Sequence, residues 1–113
     1  MINYQEDYKD LAATQSALHK NAPEMMGKFR EVAQEALKEK QLPTKVKELM
    51  AVGIAVSIRC EDCILGHVRD AIKAGATMEE ITETIEVAIL MGGGPSTAYG
   101  AKALSLAEHL LAQ

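Results

Sequence analysis

The sequence predicts an all-α protein, a single-domain bundle of about six helices that covers residues 1–113. Nowhere does strict alternation of apolar and polar residues run long enough to indicate a β-strand. Apolar residues recur instead at helical spacing, between recognisable helix start and stop signals. The chain is 48% hydrophobic but has one Phe and no Trp, so small and aliphatic side chains must fill the core. Such a composition favours closely packed helices.

The first two helices are predicted on either side of the segment "KNAP". One face of the first helix is apolar and carries Tyr4, Tyr8, Leu11 and Leu18. Asn21 is predicted to cap the second helix, because Glu24 follows three residues later as in a capping box. The second helix has an apolar stripe formed by Met25, Met26, Phe29, Val32, Ala33, Ala36 and Leu37.

A third helix of about fifteen residues should follow the break at "QLPT", with Thr44 as its cap. It is apolar on two sides. One side carries Val46, Leu49, Met50, Gly53, Ile54 and Ile58, and the other carries Val52, Ala55 and Val56. A helix with two apolar sides is expected at the centre of the fold.

The last three helices are separated by glycine-containing segments. The fourth should start around Cys60 and end at "KAG", where Gly75 can take the left-handed conformation. Thr77 and Glu80 predict a capping box at the start of the fifth helix. "GGGP" at residues 92–95 then separates it from a sixth helix that is rich in small residues.

The charge pattern excludes several classes of function. The formal net charge is −4, the pI is near 5.3 and the basic residues form no block, so binding to nucleic acid or to an anionic membrane is not expected. The N-terminal segment "MINYQEDYKD" has no apolar signal core, which leads us to expect a cytoplasmic protein. The surplus of apolar residues in a chain this short predicts a homo-oligomer.

The segment "RCEDCILGHV" contains three side chains that can do chemistry together, Cys60, Cys63 and His67. Their i, i+3, i+7 spacing puts all three side chains on one face of a helix. Within a regular helix the Cβ atoms of residues i and i+3 are about 5–6 Å apart, too far for a disulfide, which needs about 3.8 Å. Cys60 could close the bond if it occupied a non-helical capping position. Two alternatives stay open: the cysteines could be small buried residues, or they could bind zinc together with His67. The fourth zinc ligand would then be Glu48, water or a neighbouring chain.

Glu48 is an acidic residue near the start of the almost wholly apolar third helix. If residues 48–67 formed one continuous helix, Glu48 would lie about 18 Å from Cys60 along the axis and could not take part in the site. If the chain turns near residue 59 and the fourth helix packs back along the third, the carboxylate can approach Cys63 and His67. Glu48 is therefore a candidate only if the chain turns there.

The combined spacing of Glu48, Cys60, Cys63 and His67 resembles the signature of the alkylhydroperoxidase D-like branch of the carboxymuconolactone decarboxylase family. The resemblance spans roughly residues 40 to 95 and includes "LPTKVKELMAVGIAVSIRCEDCILGHVRDAIKAGATMEEI". It implies an all-helical trimer or hexamer in which Cys63 attacks a peroxide and Cys60 closes the disulfide. Glu48 and His67 would relay protons as further catalytic residues. The best-known members carry a second His just before the second Cys, where this chain has Asp62.

The resemblance therefore implies a thiol-dependent peroxidase or disulfide oxidoreductase. Its partners would be a hydroperoxide substrate, a lipoyl-bearing or other thiol reductant and a peroxiredoxin. No cofactor and no resident metal are expected. Two alternatives remain at this stage, a γ-carboxymuconolactone decarboxylase-type enzyme and a non-enzymatic redox-sensing or zinc-binding oligomeric module. Decarboxylation needs no dithiol, so the cysteine pair argues against the first of them.

Overall fold

The computed structural model describes residues 2–113, and all regular secondary structure in that range is α-helical. This confirms the predicted fold class and the predicted number of helices. The six helices are α1 (Tyr4–Asn21), α2 (Pro23–Leu37), α3 (Thr44–Ser57), α4 (Glu61–Lys73), α5 (Met78–Gly92) and α6 (Gly94–Leu111). None of these helices is both long enough and apolar enough to cross a membrane.

The chain divides into two compact units, and the boundary lies between Lys38 and Glu39. The first unit contains α1 and α2, and neither helix has a fully buried residue. The second unit contains α3 to α6 and holds the whole apolar core of buried side chains. One domain over residues 1–113 stays a prediction.

Two of the predicted helix caps are wrong, and a proline is involved in both. Asn21 is the last residue of α1, where its Nδ2 donates a hydrogen bond to the carbonyl of Ala17 at 2.8 Å. Helix α2 instead begins at Pro23, whose fixed φ and missing N–H suit the first turn of a helix. Thr44 does not cap α3 either. It is the first helical residue, because Pro43 occupies the capping position in an extended conformation.

Helix α3 is the central element of the second unit, as predicted, since it packs against α4, α5 and α6. Only one of its two apolar sides is buried, and that side carries Val52, Ala55 and Val56. On the other side Met50, Ile54 and Ile58 are 51%, 57% and 64% exposed. The sequence pattern therefore identified two apolar sides, of which this chain covers one.

The turn after α4 has the predicted geometry, because Gly75 has φ of 98°. The break predicted at "GGGP" is present after α5, where Gly93 has φ of 70°. Side chains disfavour both values. The Thr77 side chain accepts from the Glu80 amide and the Glu80 carboxylate accepts from the Thr77 amide, which completes the capping box of α5. Glu80 also pairs with Lys45 of α3 at 2.9 Å, and this ammonium group is the main reason that the pKa of Glu80 is lowered.

Candidate functional site

The site depends on a sharp turn that ends α3 and starts α4. Ile58 caps α3, and Arg59 follows with φ of 60°. The amide of Arg59 donates to the carbonyl of Val56 at 3.2 Å, and the amide of Cys60 donates to the carbonyl of Ala55 at 3.0 Å. This pair of bonds is the helix-ending motif that usually has glycine in the left-handed position. Here Arg59 occupies that position. The chain therefore turns near residue 59, which was the condition for Glu48 to reach Cys63 and His67.

Cys60 is the capping residue of α4 and lies outside the regular helix. Its backbone is extended, with φ of −103° and ψ of 96°, and its Sγ accepts a hydrogen bond from the amide of Cys63 at 3.2 Å. The two Cα atoms are 5.2 Å apart, and a disulfide joins Cys60 to Cys63. The capping position therefore brings the two sulfurs within bonding distance, which the spacing alone would not do within a regular helix.

Glu48 and His67 meet because α4 packs back along α3. The Nδ1 of His67 lies 2.7 Å from the Oε1 of Glu48, which is a short hydrogen-bonding distance. The Glu48 side chain is 6% exposed, whereas the His67 side chain is 33% exposed. The pair thus has a buried carboxylate at one end and a ring that water and small solutes can reach at the other.

The cysteine pair and the Glu48–His67 pair are neighbours on α4. His67 follows Cys63 by four residues within one helix, so their Cβ atoms are separated by about 5–6 Å on the same face. The first turn of α4 also contains Glu61 and Asp62, both exposed. Carboxylates stabilise a helix in its first turn. This gives Asp62 a structural reason to occupy the position for which the resemblance implies a second histidine.

Asp70 is the residue of the site that the sequence analysis missed. One carboxylate oxygen of Asp70, one of Glu48 and one ring nitrogen of His67 all lie within 4.8 Å of one another. Asp70 is three residues after His67 and therefore shares its helical face. The spacing of three residues from His67 is the only feature of the sequence that could have identified Asp70 as part of the site. It is a weak indication, because acidic residues are common on the outer face of a helix.

Comparison with known proteins identifies the family. A sequence model of the carboxymuconolactone decarboxylase family matches residues 23–106. An uncharacterized protein of Cupriavidus necator is 41% identical over 94 residues, which cover 83% of each chain.

Solved structures give the same result. A carboxymuconolactone decarboxylase family protein of Legionella pneumophila, solved in its apo form, is 40% identical. It aligns with a TM-score of 0.89 over 94% of this chain and 95% of its own. A family protein of Thermotoga maritima, whose suggested role is in the antioxidative response, is 29% identical. It aligns with a TM-score of 0.71 over 75% of this chain and 88% of its own. On the sequence match and the fold together, this chain belongs to the carboxymuconolactone decarboxylase family.

Proposed function

We propose that the protein is a thiol-dependent peroxidase or disulfide oxidoreductase of the alkylhydroperoxidase D-like kind. The observation that carries the proposal is the disulfide between Cys60 and Cys63, one helical turn from the Glu48–His67 pair. A dithiol that closes reversibly needs two sulfurs within bonding distance and a group that moves protons near them. The chain has both, with the cysteines and His67 on α4 and its capping residue, and Glu48 on α3.

The proposed reaction consumes one hydroperoxide for each disulfide formed. The Cys63 thiolate attacks the outer oxygen of ROOH, the O–O bond breaks, and Cys63 becomes a sulfenic acid while RO⁻ takes a proton and leaves as ROH. The Cys60 sulfur then attacks the Cys63 sulfur, the S–O bond breaks, and the hydroxyl group leaves as water after protonation. Two thiols and ROOH thus give a disulfide, ROH and H2O.

His67 and Glu48 are suited to the proton transfers in these steps. His67 is close enough to Cys63 to accept the thiol proton directly or through one water, and to return it to the leaving oxygen. The buried Glu48 carboxylate would orient the imidazole ring for these transfers. In this proposal the two cysteines carry the electrons, and the Glu48–His67 pair relays the protons.

The disulfide must be reduced again, and the proposed donor is a dithiol. A dihydrolipoyl group or a similar thiol would attack the disulfide, form a mixed disulfide and leave as the oxidised cyclic form. A peroxiredoxin could receive the electrons of the reduced pair in place of a free hydroperoxide. We expect the protein to work in the cytoplasm, where such thiol reductants are maintained. The suggested antioxidative role of the Thermotoga maritima protein supports this direction of electron flow.

The test is peroxide-driven oxidation of the reduced protein, followed by free-thiol counts and by the mass of the peptide that contains both cysteines. Wild type should lose both thiols and two hydrogens. Cys60→Ser should stop at the sulfenic acid of Cys63, and Cys63→Ser should keep its remaining thiol. Thiols that persist in wild type, or a purified protein with one tightly bound zinc in place of the disulfide, would overturn the peroxidase proposal.

A pull-down with Cys60→Ser identifies the electron partner. In this variant Cys63 cannot return to the intramolecular disulfide, so a mixed disulfide with the donor or the acceptor should accumulate. The matched control is the Cys60→Ser, Cys63→Ser double variant, which has no thiol and should retain nothing. We expect a lipoyl-bearing protein or a peroxiredoxin among the proteins that reductant releases from the single variant alone.

A further inference from the structure

Glu48, His67 and Asp70 form a cluster of metal-ligating side chains beside the cysteine pair. Their ligand atoms converge to within 4.8 Å although the residues come from two helices. Glu48 approaches from α3, while His67 and Asp70 occupy successive turns of α4. Glu48 is the buried member of the cluster. The side chains of His67 and Asp70 are 33% and 37% exposed, so solvent reaches the cluster from their side.

The ligand atoms are near the spacing that a bound ion needs. Zn²⁺ is bound tetrahedrally by nitrogen and oxygen ligands at about 2.0–2.2 Å, so two ligands of one ion lie about 3.3–3.6 Å apart. Ligand atoms at the outer limit of 4.8 Å would approach by about 1 Å. The Nδ1 of His67 and the Oε1 of Glu48, now 2.7 Å apart, would separate slightly, and both changes are within the reach of side-chain rotations. The exposed side of the cluster leaves room for water to complete the coordination.

The chemistry of the donors selects a class of metal. One imidazole and two carboxylates suit Zn²⁺ and the other divalent transition metals, whereas Mg²⁺ and Ca²⁺ prefer oxygen ligands alone. Two carboxylates also compensate the charge of a divalent cation. In the absence of an ion, Arg69 partly compensates the negative charge of the carboxylates, because its Nε donates to the Asp70 carboxylate at 3.3 Å.

We infer that Glu48, His67 and Asp70 bind one divalent transition-metal ion, for which Zn²⁺ is the probe. This site differs from the zinc site considered from the sequence, because it uses no sulfur and includes Asp70. It is therefore available in the disulfide form, where neither cysteine can act as a thiolate ligand. Occupation would remove His67 from proton transfer and inhibit the dithiol reaction. That consequence rests on the proposed function, whereas binding itself does not.

The test measures Zn²⁺ binding to the oxidised full-length protein, by competition with a chromophoric chelator after treatment with EDTA. The disulfide is first verified by mass, so that thiols contribute nothing. Wild type should bind one Zn²⁺ per chain, and Asp70→Asn should weaken binding by at least about tenfold, since even indirect partners of a metal contribute 10–100-fold. Zn²⁺ should also raise the melting temperature of wild type but not of Asp70→Asn.

Two matched controls make the result specific. Asp62→Asn removes an exposed carboxylate from the same helix, and His109→Gln removes an exposed imidazole from α6, so both should bind as wild type does. Glu48→Gln should lose binding as Asp70→Asn does, which guards against one variant that fails to fold. Equal affinity in wild type and both cluster variants would overturn the site, as would equal binding of Mg²⁺. Neither result depends on whether the protein reacts with peroxides.

Discussion

At the scale of single residues, the site depends on Arg59, whose backbone adopts the left-handed conformation. Arg59 ends α3 in a conformation that usually takes glycine, and this turn brings Cys60 to the capping position of α4. A side chain in the left-handed region costs about 1–2 kcal/mol. Residues 57–60 contain neither glycine nor proline, so the turn could hardly be predicted from the sequence.

Arg59→Gly is expected to stabilise the protein by about 1 kcal/mol, because glycine adopts the left-handed conformation without steric strain. The matched control is Arg69→Gly, the same substitution inside α4, which should destabilise by about 1 kcal/mol. Chemical denaturation of the oxidised proteins measures both. If Arg59→Gly is the less stable protein, the arginine side chain makes contacts that outweigh the strain of its backbone.

Glu48→Gln and His67→Gln should each slow peroxide-driven disulfide formation by at least about tenfold, because positioned acid–base groups contribute about 10²–10⁴-fold. Neither change should alter the helix content. The measurement is the alkylation rate of Cys63 in the reduced protein as a function of pH, beside the oxidation rate. Glu61→Gln and His109→Gln are the controls, since both side chains are exposed and lie outside the pair. Superimposable profiles for all five proteins would mean that Glu48 and His67 are structural residues.

At the scale of helices, the predictions succeeded where a side chain itself signals the helix end. Thr77 precedes an apolar run and has Glu80 at the right distance, so the capping box could be identified from the sequence and is confirmed. Asn21 and Thr44 offered the same kind of signal but stand beside prolines, which determine where α2 and α3 begin. The meeting of Glu48 with His67 could be stated only conditionally, because it depends on tertiary packing of α4 on α3.

Helices α5 and α6 pack closely at Gly100, where an added Cβ would lie 2.6 Å from the Cγ2 of Ile85. Gly100→Ala should therefore destabilise the protein by roughly 1–3 kcal/mol through overpacking. Gly66→Ala is the control within α4, where an added Cβ meets nothing within 4 Å. It should stabilise by up to about 1 kcal/mol through helix propensity. The pair is compared by denaturant unfolding, and shifts of the same sign would contradict the assigned contact.

The ion pair between Lys45 and Glu80 should make stability depend on acid pH. Because the folded-state pKa of Glu80 is lowered from its usual 4.5, the stabilisation is present above that value and is lost as the pH falls through the lower folded pKa. Glu80→Gln should therefore be less stable than wild type at pH 7 but should approach it in acid. Glu79→Gln, an exposed neighbour in the same turn, should show no such convergence. The measurement is the free energy of unfolding of the three proteins against pH.

At the scale of the whole molecule, many large apolar side chains remain exposed to solvent instead of joining the core. The exposed side chains on α5 include Val87, Leu90 and Met91, which are 61%, 79% and 78% exposed. On α3 the uncovered side carries Met50, Ile54 and Ile58. The composition predicted this surplus, but no periodicity could tell which faces the chain itself would bury. Exposed apolar side chains that share one face of a helix, as each of these sets does by its spacing, are typical of an interaction surface.

We therefore propose that further copies of the chain cover these faces in a closed homo-oligomer, a trimer or hexamer as the resemblance implies. Light scattering of wild type at micromolar concentration should give a multiple of the 12.2 kDa chain mass. Leu90→Glu should shift the mass toward the monomer, because a carboxylate buried in an apolar interface carries a large desolvation cost. Ala101→Glu adds the same charge to an exposed position of α6 and should leave the assembly unchanged. A wild-type protein that remains at 12.2 kDa would show that these faces serve another partner or none.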